Sequence, residues 1–385
     1  MAEERIDTKL VRAGRGHNGR ALAPVIWASS TFETPTVADG REMALSVGAT
    51  EFYTRYGNPT VNNFEEAVAE LEGAEAARAF GSGMGAVAAV VLGLCSSGDH
   101  IVTQTQLYAG TQMLLQAVCP RMGIDVTFVD GTDADAWREA VRPGKTMLLL
   151  AETPANPKLD LVDLKSLGGI AGPMKVVDST FATPIGQRPL EFGCDLVVHS
   201  ATKCIGGHND VTLGVVAGSR ELIDWVWGFA VLQGAVASPY EAAGGLRGLR
   251  TLGVRLRHQS AAAHEVATAL EADERVADVR YPGLESHPQH QLAARQMDLM
   301  GGLVTFDVAG GFEAGRHLVE STSVCRLATS LGGPETLVTH PASTTHVNLL
   351  PDELEAAGIG PGTIRMSLGL EDPADVMADL ASALA

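Results

Sequence analysis

Residues 175–203 read KVVDSTFATPIGQRPLEFGCDLVVHSATK, and this stretch carries the clearest signal for the fold. It holds two short apolar runs, Lys175–Asp178 and Asp195–His199, and small polar residues follow each of them directly. Short apolar runs of this kind are typical of strands that are buried on both faces of a parallel sheet. The stretch therefore predicts two buried strands, each ending in polar side chains.

Runs of the same kind recur on both sides of this stretch and alternate with helical patterns. One helical pattern is Asn62–Leu71, where Phe64, Val68 and Leu71 recur at helical spacing among acidic residues. The other apolar runs are His100–Thr103, Val126–Val129, Met147–Ala151 and Gly214–Ala217. This alternation predicts an α/β fold with a large, mostly parallel, doubly wound sheet.

The composition and the hydrophobic periodicity of the sequence change towards both ends of the chain. Residues 1–60 are dotted with Gly, Pro and Thr, which indicates an arm that docks on another surface, a neighbouring subunit being one possibility. From about Gly245 a long helical segment leads to a predicted strand at Leu303–Val308 and a helix from Pro373. We therefore expect an arm (1–60), a large domain (61–245) and a smaller α+β domain (246–385).

Composition excludes several classes of function. The 385 residues carry a formal net charge of −18, which disfavours nucleic-acid binding because that depends on clustered cationic side chains. The N-terminus lacks a signal-peptide pattern, and the apolar stretch Ala86–Cys95 is too short to span a bilayer. We expect a cytoplasmic protein without membrane contact.

The cysteines indicate neither a disulfide framework nor a metal site. They are five in number, widely separated, and form no CxxC pair: Cys95, Cys119, Cys194, Cys204 and Cys325. We expect reduced thiols and no bound metal.

Polar residues at the ends of the predicted strands are the candidates for chemistry, because open α/β sheets bind ligands at the carboxyl edge. Lys203, close to Ser200 and Thr202, could meet an aldehyde while the hydroxyls hold a phosphate. Asp178 at the end of the other run could pair with a protonated pyridine nitrogen. Taken singly, Lys203 could instead be a surface lysine and Asp178 a helix cap.

A glycine-rich loop, Gly81–Gly85, precedes the apolar helix Ala86–Leu94 and could cradle a phosphate at the helix N-terminus. With Asp99 downstream it also superficially resembles a dinucleotide fingerprint. Against that alternative, Ala76–Phe80 looks like a poor first strand, the third glycine is misplaced, and Asp99 follows a Ser-Ser-Gly turn. A monophosphate cofactor is the better interpretation.

Three further residues are candidates from position alone. Tyr108 follows a predicted strand and could stack on a cofactor ring, although an ordinary core tyrosine fits the spacing as well. Tyr53 and Arg55 lie in the arm and could offer a cationic fork to a phosphate, although a solvated arginine also fits.

With these residues in view, the chain resembles the Cys/Met-metabolism family of pyridoxal-phosphate enzymes. That family includes cystathionine γ-lyase, cystathionine γ-synthase, methionine γ-lyase and the acyl-homoserine sulfhydrylases. The resemblance runs from about Asp7 to the C-terminus. The blocks that carry it are Ser200–Asp210, Tyr53–Thr60, Glu152–Pro157, Ser330–Gly333, His340–Ala342 and Arg365–Glu371.

The resemblance implies the fold-type I transferase architecture and pyridoxal 5'-phosphate as the cofactor. Lys203 would carry the cofactor as a Schiff base, Asp178 would pair with its ring nitrogen, and Tyr108 would stack on the ring and help to move protons. The groups implied for the phosphate are Gly83, Met84, Ser200 and Thr202, together with Tyr53 and Arg55 from a neighbouring subunit.

The resemblance further implies a homotetramer built from active-site dimers, with a small amino acid as substrate. Arg365 would hold the substrate carboxylate, assisted by Ser330 and Asn156. The implied reaction is elimination of a C4 leaving group through a vinylglycine-type intermediate.

The substrate pocket departs from the family pattern at three positions. Phe52 and Thr329 stand where cystathionine-handling members often have acidic residues, and Gly110 stands where methionine γ-lyases commonly have cysteine. Our hypothesis is γ-elimination from a C4-thioether amino acid. The alternatives are γ-replacement on an O-acyl-homoserine and, more remotely, a cofactor-binding protein without turnover.

Overall fold

The computed structural model describes residues 4–344, 346–347, 354 and 358–385. Its strands are β1 Ala76–Phe80, β2 His100–Gln104, β3 Asp125–Val129, β4 Thr146–Glu152, β5 Met174–Asp178, β6 Leu196–His199, β7 Gly214–Gly218, β8 Val276–Arg280, β9 Leu303–Val308, β10 Arg326–Leu327, β11 Leu337–Thr339 and β12 Thr363–Ser367. The α-helices are α1 Ile6–Arg12, α2 Val37–Leu45, α3 Pro59–Glu72, α4 Gly83–Leu94, α5 Ala109–Met113, α6 Ala134–Glu139, α7 Leu164–Gly168, α8 Thr183–Gly186, α9 Arg220–Gln233, α10 Pro239–Glu271, α11 His290–Gln296, α12 Gly311–Ser321 and α13 Pro373–Ala383.

The large domain is built on a seven-stranded sheet in the order β1-β7-β6-β5-β4-β2-β3. Strands β3, β2, β4, β5 and β6 are mutually parallel, so their carboxyl ends meet at one edge of the sheet. The expected doubly wound, mostly parallel sheet is confirmed. The loops that follow four neighbouring strands therefore lie side by side at this edge, and these strands are β6, β5, β4 and β2.

The interpretation of Ala76–Phe80 as a poor strand was wrong. The segment forms β1 and pairs antiparallel with β7 along its whole length. Alanine and arginine have low intrinsic strand preference, but that preference is weak compared with tertiary context. Here the partner strand β7 is buried along its whole length, and its backbone pairs with the backbone of β1.

Helices cover both faces of this sheet. On one face α3 and α10 pack through residues such as Phe64, Val68 and Leu249, and on the other α4 and α9 pack through Val90 and Trp227. Helix α3 begins at Pro59, where the Asn58 side chain accepts a hydrogen bond from the Thr60 amide. These helices bury the apolar strands on both sides, as the continuous apolar runs require.

The second sheet, in the order β10-β11-β12-β9-β8, forms the core of the C-terminal domain with α12, α13 and the second half of α10. The 33-residue helix α10 runs from the large domain into this one, and the expected boundary near Gly245 falls inside it. The predicted strand Leu303–Val308 and the helix from Pro373 are confirmed.

The first part of the arm docks on its own chain, because α1 buries Leu10 in the core that α3 and α10 share. All five cysteines are free and buried. Across the residues that the structure describes, no helix has the length and apolar character needed to cross a bilayer.

Candidate active site

A cavity of about 780 Å³ lies at the carboxyl edge of the large sheet, against the C-terminal domain. Ten of the predicted site residues line it: Gly83, Met84, Tyr108, Asn156, Asp178, Ser200, Thr202, Lys203, Ser330 and Arg365. They come from loops that follow different strands, so only the folded sheet brings them together. A volume of this size is in the range of small-molecule and cofactor sites.

One end of the cavity suits a phosphate. Helix α4 begins at Gly83, and Ser82 caps it by accepting a hydrogen bond from the Gly85 amide. A Cβ atom added at Gly83 would lie 2.7 Å from the Ser200 Cβ, so only glycine allows the helix to approach this loop. The helix start and Ser200 therefore lie at the same end of the cavity. Thr202 also lines the cavity, but its hydroxyl donates to the Leu213 carbonyl and accepts from the Leu213 amide.

Asp178 supplies an anion on the floor of the cavity. It retains some accessible surface because it faces the cavity, but protein otherwise encloses it. Its Oδ1 accepts hydrogen bonds from the amide and the hydroxyl of Thr180, at 3.0 and 2.5 Å. Burial raises the pKa of Asp178, while the bonds from Thr180 and the nearby His199 oppose that rise. A carboxyl in this setting favours a cationic partner in the cavity.

Lys203 points into the cavity and donates from Nζ to Ser330 Oγ at 2.7 Å. Burial, reinforced by the positive charge of Arg365, lowers the pKa of Lys203 to about 8. The neutral amine that a carbonyl requires is therefore accessible near neutral pH. Ser330 itself has φ +79°, a left-handed conformation that is uncommon for a residue with a side chain and clusters at functional sites.

Arg365 also lines the cavity and is only 4% exposed. Its guanidinium donates to Asn156 Oδ1 at 3.0 Å and to the Ser330 carbonyl at 2.8 Å. Burial lowers the pKa of Arg365 to about 10, and the nearby Glu152 opposes the shift. The Nε is fully buried and has no partner among the described residues, whereas each terminal NH2 group keeps a second hydrogen that a carboxylate can accept.

Tyr108 is 44% exposed and lies at the cavity rather than in the core. Its backbone amide donates to the carboxylate of Glu152 at 2.8 Å. Sequence reasoning gave Glu152 no role, although it also lines the cavity. The signal was present, since Glu152 directly follows the apolar run Met147–Ala151 and thus obeys the strand-end rule.

Tyr53 and Arg55 are not brought to this cavity within one chain. Arg55 instead donates to the Val231 carbonyl at 3.0 Å and lies over the rings of Tyr53 and Tyr56, at 5.4 and 5.0 Å from their centroids. Their contribution to a neighbouring subunit's phosphate stays a prediction.

The residues present fit pyridoxal 5'-phosphate. An amine, a buried carboxyl and a helix N-terminus line the same cavity, and these groups suit the aldehyde, the ring nitrogen and the phosphate of that molecule. The side chains that would hold it are Lys203, Asp178 and Ser200, with Tyr108 over the ring.

Comparisons with known proteins agree with this chemistry. The family model described as Cys/Met metabolism PLP-dependent enzyme matches residues 7–385. An L-methionine gamma-lyase from Fusobacterium nucleatum subsp. polymorphum is 42% identical over 94% of this chain and 93% of its own. An O-succinylhomoserine sulfhydrylase from Pseudomonas aeruginosa is 42% identical over 98% of this chain and 95% of its own. The crystal structure of metB from Corynebacterium glutamicum matches with a TM-score of 0.92 at 36% identity, covering 99% of this chain and 98% of that one.

Proposed function

Because the chain belongs to the Cys/Met metabolism family of pyridoxal-phosphate-dependent enzymes, we propose that it catalyses γ-elimination from a sulfur-containing amino acid. With methionine and water the products are methanethiol, ammonia and 2-oxobutanoate. The observation that carries the proposal is the placement of Lys203, Asp178 and Arg365 on one cavity. The likeness to methionine gamma-lyases supports the same reaction.

When bound, pyridoxal phosphate supplies an electron sink for the carbanion at the substrate Cα. Lys203 is the base that takes the α-proton, since its lowered pKa provides a neutral amine near neutral pH. Ser330 Oγ accepts a hydrogen bond from Lys203 Nζ and so fixes the direction of the lysine side chain. Tyr108 lies beside the same space and can carry a proton towards the departing sulfur.

Arg365 orients the substrate. Two guanidinium nitrogens are already fixed by Asn156 and Ser330, so the fork is held rigid before the substrate arrives. A fixed fork binds a carboxylate in two-point geometry and orients Cα towards Lys203.

The rest of the cavity favours an uncharged C4 substituent. The charged side chains among its described lining residues are Glu152, Asp178, Lys203 and Arg365. Each of them has a proposed role with the cofactor or the substrate carboxylate, or a hydrogen-bond partner within the protein. The remaining wall includes Gly110, Met113, Thr329 and Thr344. A thioether methyl fits this wall better than the ammonium and carboxylate at the far end of cystathionine.

We also propose that the active enzyme is a cytoplasmic homotetramer. Exposed apolar side chains on α9, including Trp225 at 66% and Leu232 at 84%, lie on the helix that Arg55 contacts and support a subunit interface there. Free buried cysteines are in keeping with a reducing compartment. Light scattering would test the assembly, and cell fractionation would test the location.

The assay for the main proposal incubates the cofactor-loaded protein with methionine and measures 2-oxobutanoate and methanethiol. Steady formation of both in equal amounts is expected. A second candidate, γ-replacement on an O-acyl-homoserine, is favoured by the likeness to the sulfhydrylase. Efficient thioether or homocysteine synthesis from the acyl-homoserine, without 2-oxobutanoate from methionine, would replace the first proposal by the second.

A further inference from the structure

The carboxylate of Glu152 lies between the half of the cavity that would hold the cofactor, beside Tyr108, and the half that would hold the substrate carboxylate, beside Asn156 and Arg365. Glu152 is the last residue of β4 and is 7% exposed. Its Oε2 accepts from the Tyr108 amide and its Oε1 accepts from the Asn156 amide, both at 2.8 Å. One side chain therefore connects the loop that carries the aromatic ring with the loop that carries the Arg365 partner.

The backbone of Glu152 is fixed as firmly as its side chain. The amide of Glu152 donates to Gln104 Oε1 at 3.0 Å, and its carbonyl accepts from Gln104 Nε2 at 2.8 Å. Both groups of one glutamine amide are thus used to hold the end of β4 against the end of β2. The carboxylate projects from an immobile position, which a positioning residue requires.

The charges around Glu152 come from both halves of the site. Asp178 is its direct neighbour in the ladder between β4 and β5, and Arg365 faces it from the C-terminal domain. Burial and the charge of Asp178 raise the pKa of Glu152, whereas the two amide bonds and Arg365 lower it. Filling the site with a cation at Asp178 therefore favours the ionised form that accepts both amide bonds.

We propose that Glu152 is a positioning residue that couples cofactor seating to substrate seating. Through Tyr108 it sets the ring that covers the cofactor, and through Asn156 it sets the guanidinium that receives the substrate carboxylate. The substrate half of this inference rests on the proposed function, whereas the cofactor half requires no turnover.

The test is E152Q, with E152D as a second variant. Glutamine keeps the length but removes the charge that strengthens both bonds and places an NH2 group against one of the two amide donors, and aspartate is one methylene shorter, so its carboxylate is withdrawn from both. We expect each variant to raise both the cofactor dissociation constant and KM for methionine by about tenfold, with a smaller change in kcat. The dissociation constant is measured by titrating cofactor into the stripped full-length protein.

Two controls separate this role from a merely structural one. E139Q removes the same charge from the exposed end of α6 and should leave both constants unchanged. N156A touches only the substrate half, so it should raise KM while leaving the cofactor constant within about twofold. If E152Q does not fold, E152D carries the test.

Both constants within about twofold of the wild type in a folded Glu152 variant would overturn the proposal, as would a rise in only one of them in both variants. A wild-type protein without activity on methionine would instead defeat the proposed function. In that case the cofactor constant of E152Q would still decide whether Glu152 seats the cofactor.

Discussion

Replacing Arg365 with lysine tests the substrate-binding wall most sharply. Arg365 donates to Asn156 and Ser330 with one hydrogen from each terminal NH2 group, so each group keeps a second hydrogen for a carboxylate. Lysine preserves the positive charge but has a single nitrogen, which cannot bind Asn156, Ser330 and the substrate carboxylate at the same time in the geometry of the guanidinium. At least one charge-assisted hydrogen bond to the substrate is lost.

The loss of one such bond costs about 1.5–3 kcal/mol. At about 1.4 kcal/mol per factor of ten, R365K should raise KM for methionine by about 10- to 100-fold. The fall in kcat should be smaller because Lys203 and Ser330 keep their mutual hydrogen bond. Initial rates of 2-oxobutanoate release over a range of methionine concentrations measure both parameters.

The matched control is R138K, which makes the same replacement in an exposed ion pair with Asp135 on α6. Surface pairs contribute little, so its KM should match that of the wild type. A second control uses 3-(methylthio)propylamine, which is methionine without its carboxylate, as a competitive inhibitor. Its inhibition constant should be the same for wild type and R365K. An unchanged KM in R365K, or an equal loss of affinity for the amine, would refute the assignment of Arg365 to the carboxylate.

Three further outcomes are expected. D178N should raise the cofactor dissociation constant at least about tenfold in a fluorescence titration, because a neutral amide cannot pair with the ring cation; tight binding by D178N would contradict this. S330A removes the 2.7 Å acceptor of Lys203 Nζ and should lower kcat about tenfold at nearly constant KM, which steady-state rates would check. The rate of cofactor attachment to stripped protein should rise with pH with a midpoint at about 8, as Lys203 loses its proton. In R365M the midpoint should move to higher pH, since Arg365 holds the pKa of Lys203 down; an unmoved midpoint in stopped-flow absorbance would contradict that cause.

Much of the cofactor site could be predicted because it follows one rule of sheet geometry. Lys203, Asp178 and Tyr108 each follow an apolar run, and the carboxyl ends of parallel strands meet at one edge. The strand ends at Asp178 and His199 were recognisable from the sequence. The resemblance then supplied Arg365 and Ser330, which lie in the other domain and obey no local pattern.

Other features depend on tertiary contacts that no local pattern contains. Strand β1 forms because β7 pairs with it, although Ala76–Phe80 has little strand preference of its own. The two bonds that make Glu152 a link between loops come from amides 44 residues before it and four residues after it. The proposed contact of Arg55 with a second subunit would involve a surface outside its own chain.

Reduction of the cofactor-loaded protein with borohydride, followed by proteolysis and mass spectrometry, tests whether Lys203 carries the cofactor. Borohydride fixes a Schiff base permanently, so the modified residue identifies the amine that carries pyridoxal phosphate. We expect a single phosphopyridoxyl-modified peptide that contains Lys203, and no modification in K203A. Modification of a different lysine, or an unmodified wild-type protein after incubation with excess cofactor, would contradict it.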